Sequence, residues 1–207
     1  MVTNAYNNFV ITQDPRDYRR DDVSWYYRAM NAFGEYFWRY GRPMVIGEMT
    51  SATNNHYEVE RRLYWIGFVS GYQMGRADRH FGPVVEGKFV ESEKFGLKGL
   101  PPIYGDIARL GAFVREDDVR FWRMRPDDEA IWTGDDLVFC LAAEGEEYVL
   151  YFVNGGTATV TIPDCRCRWY NPRTGEFGTE FKVCGDASFA AQDNQDWVLH
   201  LTAKTRP

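Results

Sequence analysis

The 207-residue sequence predicts two fold classes in series: a parallel α/β portion, then a small antiparallel β-sandwich. Two observations carry this. Up to about Trp122–Asp128, helical periods of apolar residues alternate with short apolar runs, which is the rhythm of a parallel α/β fold. Beyond it, short strands of alternating character follow one another with turn signals at regular intervals, as in a sandwich. The composition supplies the means: 44% of residues are hydrophobic and 16% aromatic, enough to build a core and to argue against disorder.

In the first portion, Asp21 or Asp22 can cap a helix whose apolar positions are Val23, Tyr26, Met30, Phe33, Phe37 and Tyr40, with Gly41 and Pro43 ending it. PMVIGE, from Pro43 to Glu48, reads as a short strand that finishes on a carboxylate, and a polar loop from Met49 to His56 follows. The next helix, from about Tyr57 to Ser70, is apolar nearly all round in its second half and should be deeply buried. Tyr72–Met74 reads as a strand, Gly75–Pro102 as a long loop, and Ile103, Ile107, Leu110 and Val114 mark a last amphipathic helix. In the second portion, strands at Leu137–Ala142 and Tyr148–Val153 meet at the turn Glu144–Gly145–Glu146, and Asn154–Gly155–Gly156 makes the next turn. Ala158, Val160 and Ile162 alternate with threonines; Cys165, Cys167 and Trp169 alternate with Arg166, Arg168 and Tyr170. NPRTG, Asn171–Gly175, is a turn, and Phe177–Val183 and Trp197–Leu201 complete the set, with Trp169 and Trp197 assigned to the core.

A formal net charge of -6 argues against a nucleic-acid partner. No apolar run is long enough to span a bilayer, and the start lacks the basic-then-apolar pattern of a signal peptide, so a soluble chain is expected. An upstream segment could still carry an export signal, leaving the parent's secretion open. Cys140, Cys165, Cys167 and Cys184 lack a second ligand pair at zinc spacing, and buried free thiols are the leading reading, with a disulfide as the alternative. Asp127, Asp128, Asp135 and Asp136 do not match a calcium loop and read as solvated turns, so neither metal nor cofactor is expected.

Glu48 is the sharpest candidate for chemistry, because it stands at the carboxyl end of a parallel strand, where α/β barrels place catalytic groups. A helix-capping or salt-bridged glutamate is the plainer alternative. His56, in the loop after Glu48, could touch a substrate or simply sit on the surface. Arg76, Asp78, Arg79 and His80 follow the presumed last strand, where they could bind hydroxyl groups or form an ion-pair cluster ordering the loop. Tyr6 and Trp25 could stack on a ring, whereas helical spacing assigns Trp65 to the core.

PMVIGE resembles the strand that presents the nucleophilic glutamate in retaining glycosidases of the (β/α)8 clan A. RRLYWIGFVSGYQMGRADRHFG is similar to the final helix and strand of such barrels in a bacterial family with an appended β domain, and FWRMRPDDEAIW to the link into that domain. YVLYFVNGGTATVTIP, WYNPRTGEF and DWVLHL, in that order, resemble a β domain of the collagen-binding type. The resemblance implies the incomplete C-terminal portion of a (β/α)8 barrel over residues 1–122 and a β-sandwich over 123–207. Glu48 would be the nucleophile, with His56, Arg76, Asp78, Arg79, His80 and Tyr6 at the substrate. The family's stacking tryptophan near the last strand is replaced by Gln73 and Met74. At most three barrel strands precede the β domain, with VTNAYNN as the sixth strand and its loop, and a whole barrel takes about 250 residues. The acid/base glutamate of the clan lies on the fourth strand. The expectation is therefore a fragment of a retaining glycoside hydrolase acting on a glycan, inactive alone and lacking an N-terminal barrel segment. The alternative is a non-catalytic carbohydrate- or protein-binding accessory module.

Overall fold

The computed structural model describes residues 3–4, 24–42, 44–46, 57–75, 81–85, 88–91, 102–134 and 136–204, with backbone alone for 3–4, 25, 81–85 and 88–91. Strands β1 (Thr3–Asn4), β2 (Met44–Ile46) and β3 (Gln73–Met74) form a parallel sheet in the order β1-β2-β3. Helices α1 (Ser24–Arg39) and α2 (Tyr57–Val69) make the two crossovers. Both helices stop in the same way. Gly41 and Gly71 adopt φ of +63° and +75°, and the next residue's N–H reaches back to the carbonyl of Phe37 or Gly67. Glycine takes this left-handed position without steric cost, which ends each helix and turns the chain into the following strand.

The register of α1 differs from its expected apolar stripe. Tyr26, Tyr27, Met30, Asn31 and Gly34 are buried, while Phe33 and Tyr40 are 57% and 65% exposed. Gly34 sets this rotation: a Cβ there would lie 2.5 Å from the Ser70 carbonyl oxygen, so α1 seats its smallest residue against the end of α2. The reading of Gly75–Pro102 as loop is also corrected. Two strands within it, β4 (Phe81–Val85) and β5 (Lys88–Glu91), pair antiparallel. Helix α3 (Ile103–Glu116) follows where its spacing predicted it.

The rest of the chain builds one antiparallel sheet from β6 (Arg125–Pro126), β7 (Val138–Ala143), β8 (Glu147–Phe152), β9 (Thr157–Asn171), β10 (Glu176–Phe177), β11 (Phe181–Ala190) and β12 (Trp197–Ala203). The order is β10-β9-β12-β8-β7-β6, with β11 also on β9. The two short strands expected at Ala158–Ile162 and Cys165–Trp169 are one, running through Pro163, with a register shift opposite Cys184 where β11 leaves Val183 and resumes at Gly185.

The middle of the sheet is buried on both faces, so β7, β8 and β12 are apolar nearly throughout, interrupted by Glu147, His200 and Thr202. One face (Cys140, Leu150, Phe152, Leu199, Leu201) closes on Val160, Ile162, Cys165, Cys167 and Phe189. The other (Phe139, Leu141, Val149, Tyr151, Val198) packs on α2 and α3. At the centre of that second core Trp65, fully buried, stacks on Tyr151 at 5.8 Å and meets Phe113 edge-on at 5.3 Å. The helices and the antiparallel sheet therefore share one core.

The thiol reading is corrected in one place: all four cysteines are free, but Cys184 is exposed. Asp128 is likewise no solvated turn. Its carboxylate accepts hydrogen bonds from the Asn31 amide at 2.6 Å and from the Cys140 backbone N–H at 2.7 Å, and its own N–H donates to Glu35 at 3.0 Å. Burial, then the charges of Glu35 and Asp127, push this carboxyl up to about 7.

Candidate functional site

Because β1, β2 and β3 are parallel and paired in register, their carboxyl ends form one edge of the sheet. Asn4 stands opposite Val45, and Ile46 opposite Met74. The edge is pinned by the Gly75 N–H, which donates to the Ile46 carbonyl at 2.7 Å, and by the Tyr64 hydroxyl, which donates to the Gly75 carbonyl at 3.5 Å. Met44 and Ile46 are buried. Gly67 lets α2 lie close over β3, since a Cβ there would sit 1.7 Å from the Met74 Sδ. Packing thus fixes where these strands end.

Glu48, His56, Arg76, Asp78, Arg79, His80 and Tyr6 all lie outside the described residues. Along the chain, Tyr6, Glu48 and Arg76 each come two positions after the last residue of a strand, namely Asn4, Ile46 and Met74. His56 immediately precedes α2, and His80 immediately precedes β4. Side-chain placement is described for neither Trp25 nor these seven. Trp65 is in the core, as its spacing predicted, and Gln73 and Met74 form β3 itself.

The described neighbourhood has features that sequence reasoning missed. Tyr64 is one: within an apolar helix run it reads as core, and only the fold turns its hydroxyl to the strand edge. A second is the bidentate pair of Arg61 with Asp196, both contacts 2.9 Å, to which the Tyr151 hydroxyl adds a 3.3 Å hydrogen bond. Asp196 is fully buried, so this pair ties the start of α2 to β12 from inside the shared core. Arg109 extends the tie, bonding the Pro172 carbonyl at 3.3 Å while the Tyr170 hydroxyl donates to the Arg109 carbonyl at 2.8 Å. Among the described residues no cluster of three or more histidine, cysteine or acidic side chains is arranged to hold a metal ion, and no helix is long and apolar enough to cross a membrane.

No family model matches the sequence, and no curated protein matches it. Among solved structures, the chain resembles one described as a glycoside hydrolase, with a TM-score of 0.56 and 16% identity over 80% of this chain and 43% of that one. It also aligns with a family 44 xyloglucanase from Paenibacillus polymyxa, solved with xyloglucan (TM-score 0.42, 8% identity, 79% of this chain and 33% of that one). A further alignment is with a family 27 β-L-arabinopyranosidase from Geobacillus stearothermophilus in complex with arabinose (TM-score 0.42, 8% identity, 87% of this chain and 43% of that one). The chain spans less than half the length of each. The first likeness gives this chain a glycoside-hydrolase-like fold.

Proposed function

We propose that this chain is the C-terminal portion of a retaining glycoside hydrolase of the clan A type, with Glu48 as the nucleophile. The observation that supports the reading is the common edge of β1, β2 and β3: in the sequence, Tyr6, Glu48 and Arg76 each follow the last residue of one of these three parallel strands by two positions. Parallel α/β folds gather ligand-binding groups at the carboxyl ends of their strands, because the loops there converge from several elements onto one rim. The fold likeness supports the same reading.

In this proposal Glu48 attacks the anomeric carbon, and a second carboxyl group on an earlier barrel strand protonates the leaving oxygen. The second group then activates the water that releases Glu48, and the two must stand about 5–5.5 Å apart. His56, Arg76, Asp78, Arg79, His80 and Tyr6 would surround the sugar. Residues 1–122 would be the end of a (β/α)8 barrel, and 123–207 a β-sandwich of the collagen-binding type. An N-terminal barrel segment would supply the remaining strands. The exposed flank of α1 supports that last element: Phe33, Tyr36 and Tyr40 are each more than half exposed, and Tyr36 and Tyr40 lie 4.9 Å apart. Aromatic faces of this kind on a soluble protein mark a surface that another element covers.

The test uses the parent protein with its upstream coding sequence, its Glu48→Gln variant and the 207-residue chain, assayed on aryl glycosides and on plant and bacterial polysaccharides. The parent should turn over, Glu48→Gln should lose nearly all rate while still folding, and the 207-residue chain should be inactive. An unimpaired Glu48→Gln parent, or robust turnover by the short chain, would overturn the assignment and favour the accessory-module reading.

A further inference from the structure

A buried ionic chain lies where α3 ends against the antiparallel sheet, away from the strand edge described above. His200 on β12 is 1% exposed, and both of its ring nitrogens face carboxylates. Nδ1 is 2.7 Å from Asp117 Oδ2, and Nε2 is 2.9 Å from Glu147 Oε1. Asp117 is the residue that closes α3, and Glu147 opens β8; they are 3% and 1% exposed. Each carboxylate has an outer partner. Arg168 on β9 donates to Asp117 at 3.3 Å, and Arg120 donates to Glu147 through its backbone N–H and its Nε, both at 3.0 Å. Arg120 and Arg123 further engage Glu146. The Thr202 hydroxyl lies 3.3 Å from Nε2, and the Phe113 ring stands edge-on to the imidazole at 6.0 Å.

A neutral imidazole has one N–H and one lone pair. Between two ionised carboxylates it could satisfy one and would turn its lone pair on the other, in a buried site where that repulsion is costly. Only the imidazolium donates to both. We propose that His200 is held as a cation that clasps the end of α3 to the antiparallel sheet, and that this clasp opens when the imidazolium loses its proton. The electrostatics agree. Burial would lower the histidine's affinity for its proton, but the hydrogen bonds and charges of Asp117 and Glu147 outweigh it and raise the pKa. Burial would raise both carboxyl groups, yet His200 and the arginines bring Asp117 below its ordinary value and Glu147 down to about 2.

The signs define the window. A histidine whose folded pKa is raised contributes stability that is complete below its unfolded value, about 6.5, and is lost as pH rises through the folded value. The lowered carboxylates contribute stability above their unfolded values, about 4, lost as pH falls through the folded ones. The clasp is therefore closed between the lowered carboxylate range and the raised histidine range, and opens on either side.

Nitrogen NMR of the 15N-histidine-labelled 207-residue chain reads the state directly, with His200→Asn identifying the signal. The midpoint at which one His200 nitrogen loses its proton should lie above that of an exposed histidine, about 6.5, with both nitrogens protonated below it. A midpoint at or below about 6.5 would overturn the proposal. Glu147→Gln should weaken proton binding at His200 by about tenfold, a shift of one pH unit; an unchanged midpoint would remove the clamp from the account. Hydrogen exchange in the wild-type chain, corrected for intrinsic rates, tests the opening without any variant. Protection at Phe113–Val119 should fall above the His200 midpoint while β7 and β8 stay protected. Protection retained at 113–119 through that midpoint, or lost together with the sheet, would refute local release.

Discussion

Replacing Asp128 by asparagine should flatten the pH dependence of stability. Its carboxyl is raised to about 7 by burial and by the neighbouring charges of Glu35 and Asp127. An acid with a raised folded pKa binds its proton more tightly in the folded state, so stability falls as pH rises toward that value. Taking an unfolded value of about 3.9, single-site linkage gives a loss of about 2 to 3 kcal/mol between pH 5 and pH 8. Asparagine has no proton to lose in this range. Its amide oxygen can keep the hydrogen bond from the Cys140 N–H, and its amide nitrogen then faces Asn31. Asn31 can turn its own amide over to accept, because its other partner, the Ser70 hydroxyl at 2.6 Å, can donate or accept. Urea unfolding of wild-type and Asp128→Asn chains at pH 5, 6, 7 and 8 measures the effect. The two stability profiles should converge by about 2 to 3 kcal/mol toward pH 8; the decline assigned to His200 is common to both and cancels. Parallel profiles would mean that Asp128 is ionised throughout, and that its burial has been misjudged.

Trp65→Ala removes the ring that fills the core between α2 and the sheet, and should cost about 3 to 5 kcal/mol; a shift under about 1 kcal/mol in urea unfolding would deny the shared core. In the native chain Cys184 alone should react promptly with a thiol reagent. Cys140, Cys165 and Cys167 should wait for unfolding, since burial hides them and pushes Cys165 up to about 11 and Cys167 up to about 12. More than one fast thiol per chain would contradict this.

The fold was legible where a local rule decided it. Gly41 stopped α1 as its position requires, and the apolar second half of α2 carried Trp65, Ile66 and Val69 into the core. The turns at Gly145, Gly155, Gly156 and Gly175 all use left-handed glycines. What stayed hidden depends on distant partners. The rotation of α1 answers to Gly34 against Ser70 and not to its own apolar period. Asp128 reads as a turn residue in DDEA until Asn31 and the Cys140 N–H enclose it. His200 carries one local signal: in DWVLHL it alternates with Leu199 and Leu201, which puts it on the opposite face, with Val198. Its carboxylate partners lie 53 and 83 residues away, which no local pattern reveals. For the candidate site, the strand leading to Glu48 was legible as a short apolar run and Tyr72–Met74 as a further strand, while their shared edge required the pairing.

The identity of the nucleophile is tested most directly by trapping it. The longer protein proposed above is incubated with a panel of 2-deoxy-2-fluoroglycosides carrying good leaving groups, digested and analysed by mass spectrometry. A retaining enzyme forms a glycosyl ester that the fluorine makes slow to hydrolyse. One added sugar is expected on the peptide that contains Glu48, absent from the Glu48→Gln variant. A label on any other carboxylate, or an active parent that hydrolyses its substrate with inversion, would contradict it.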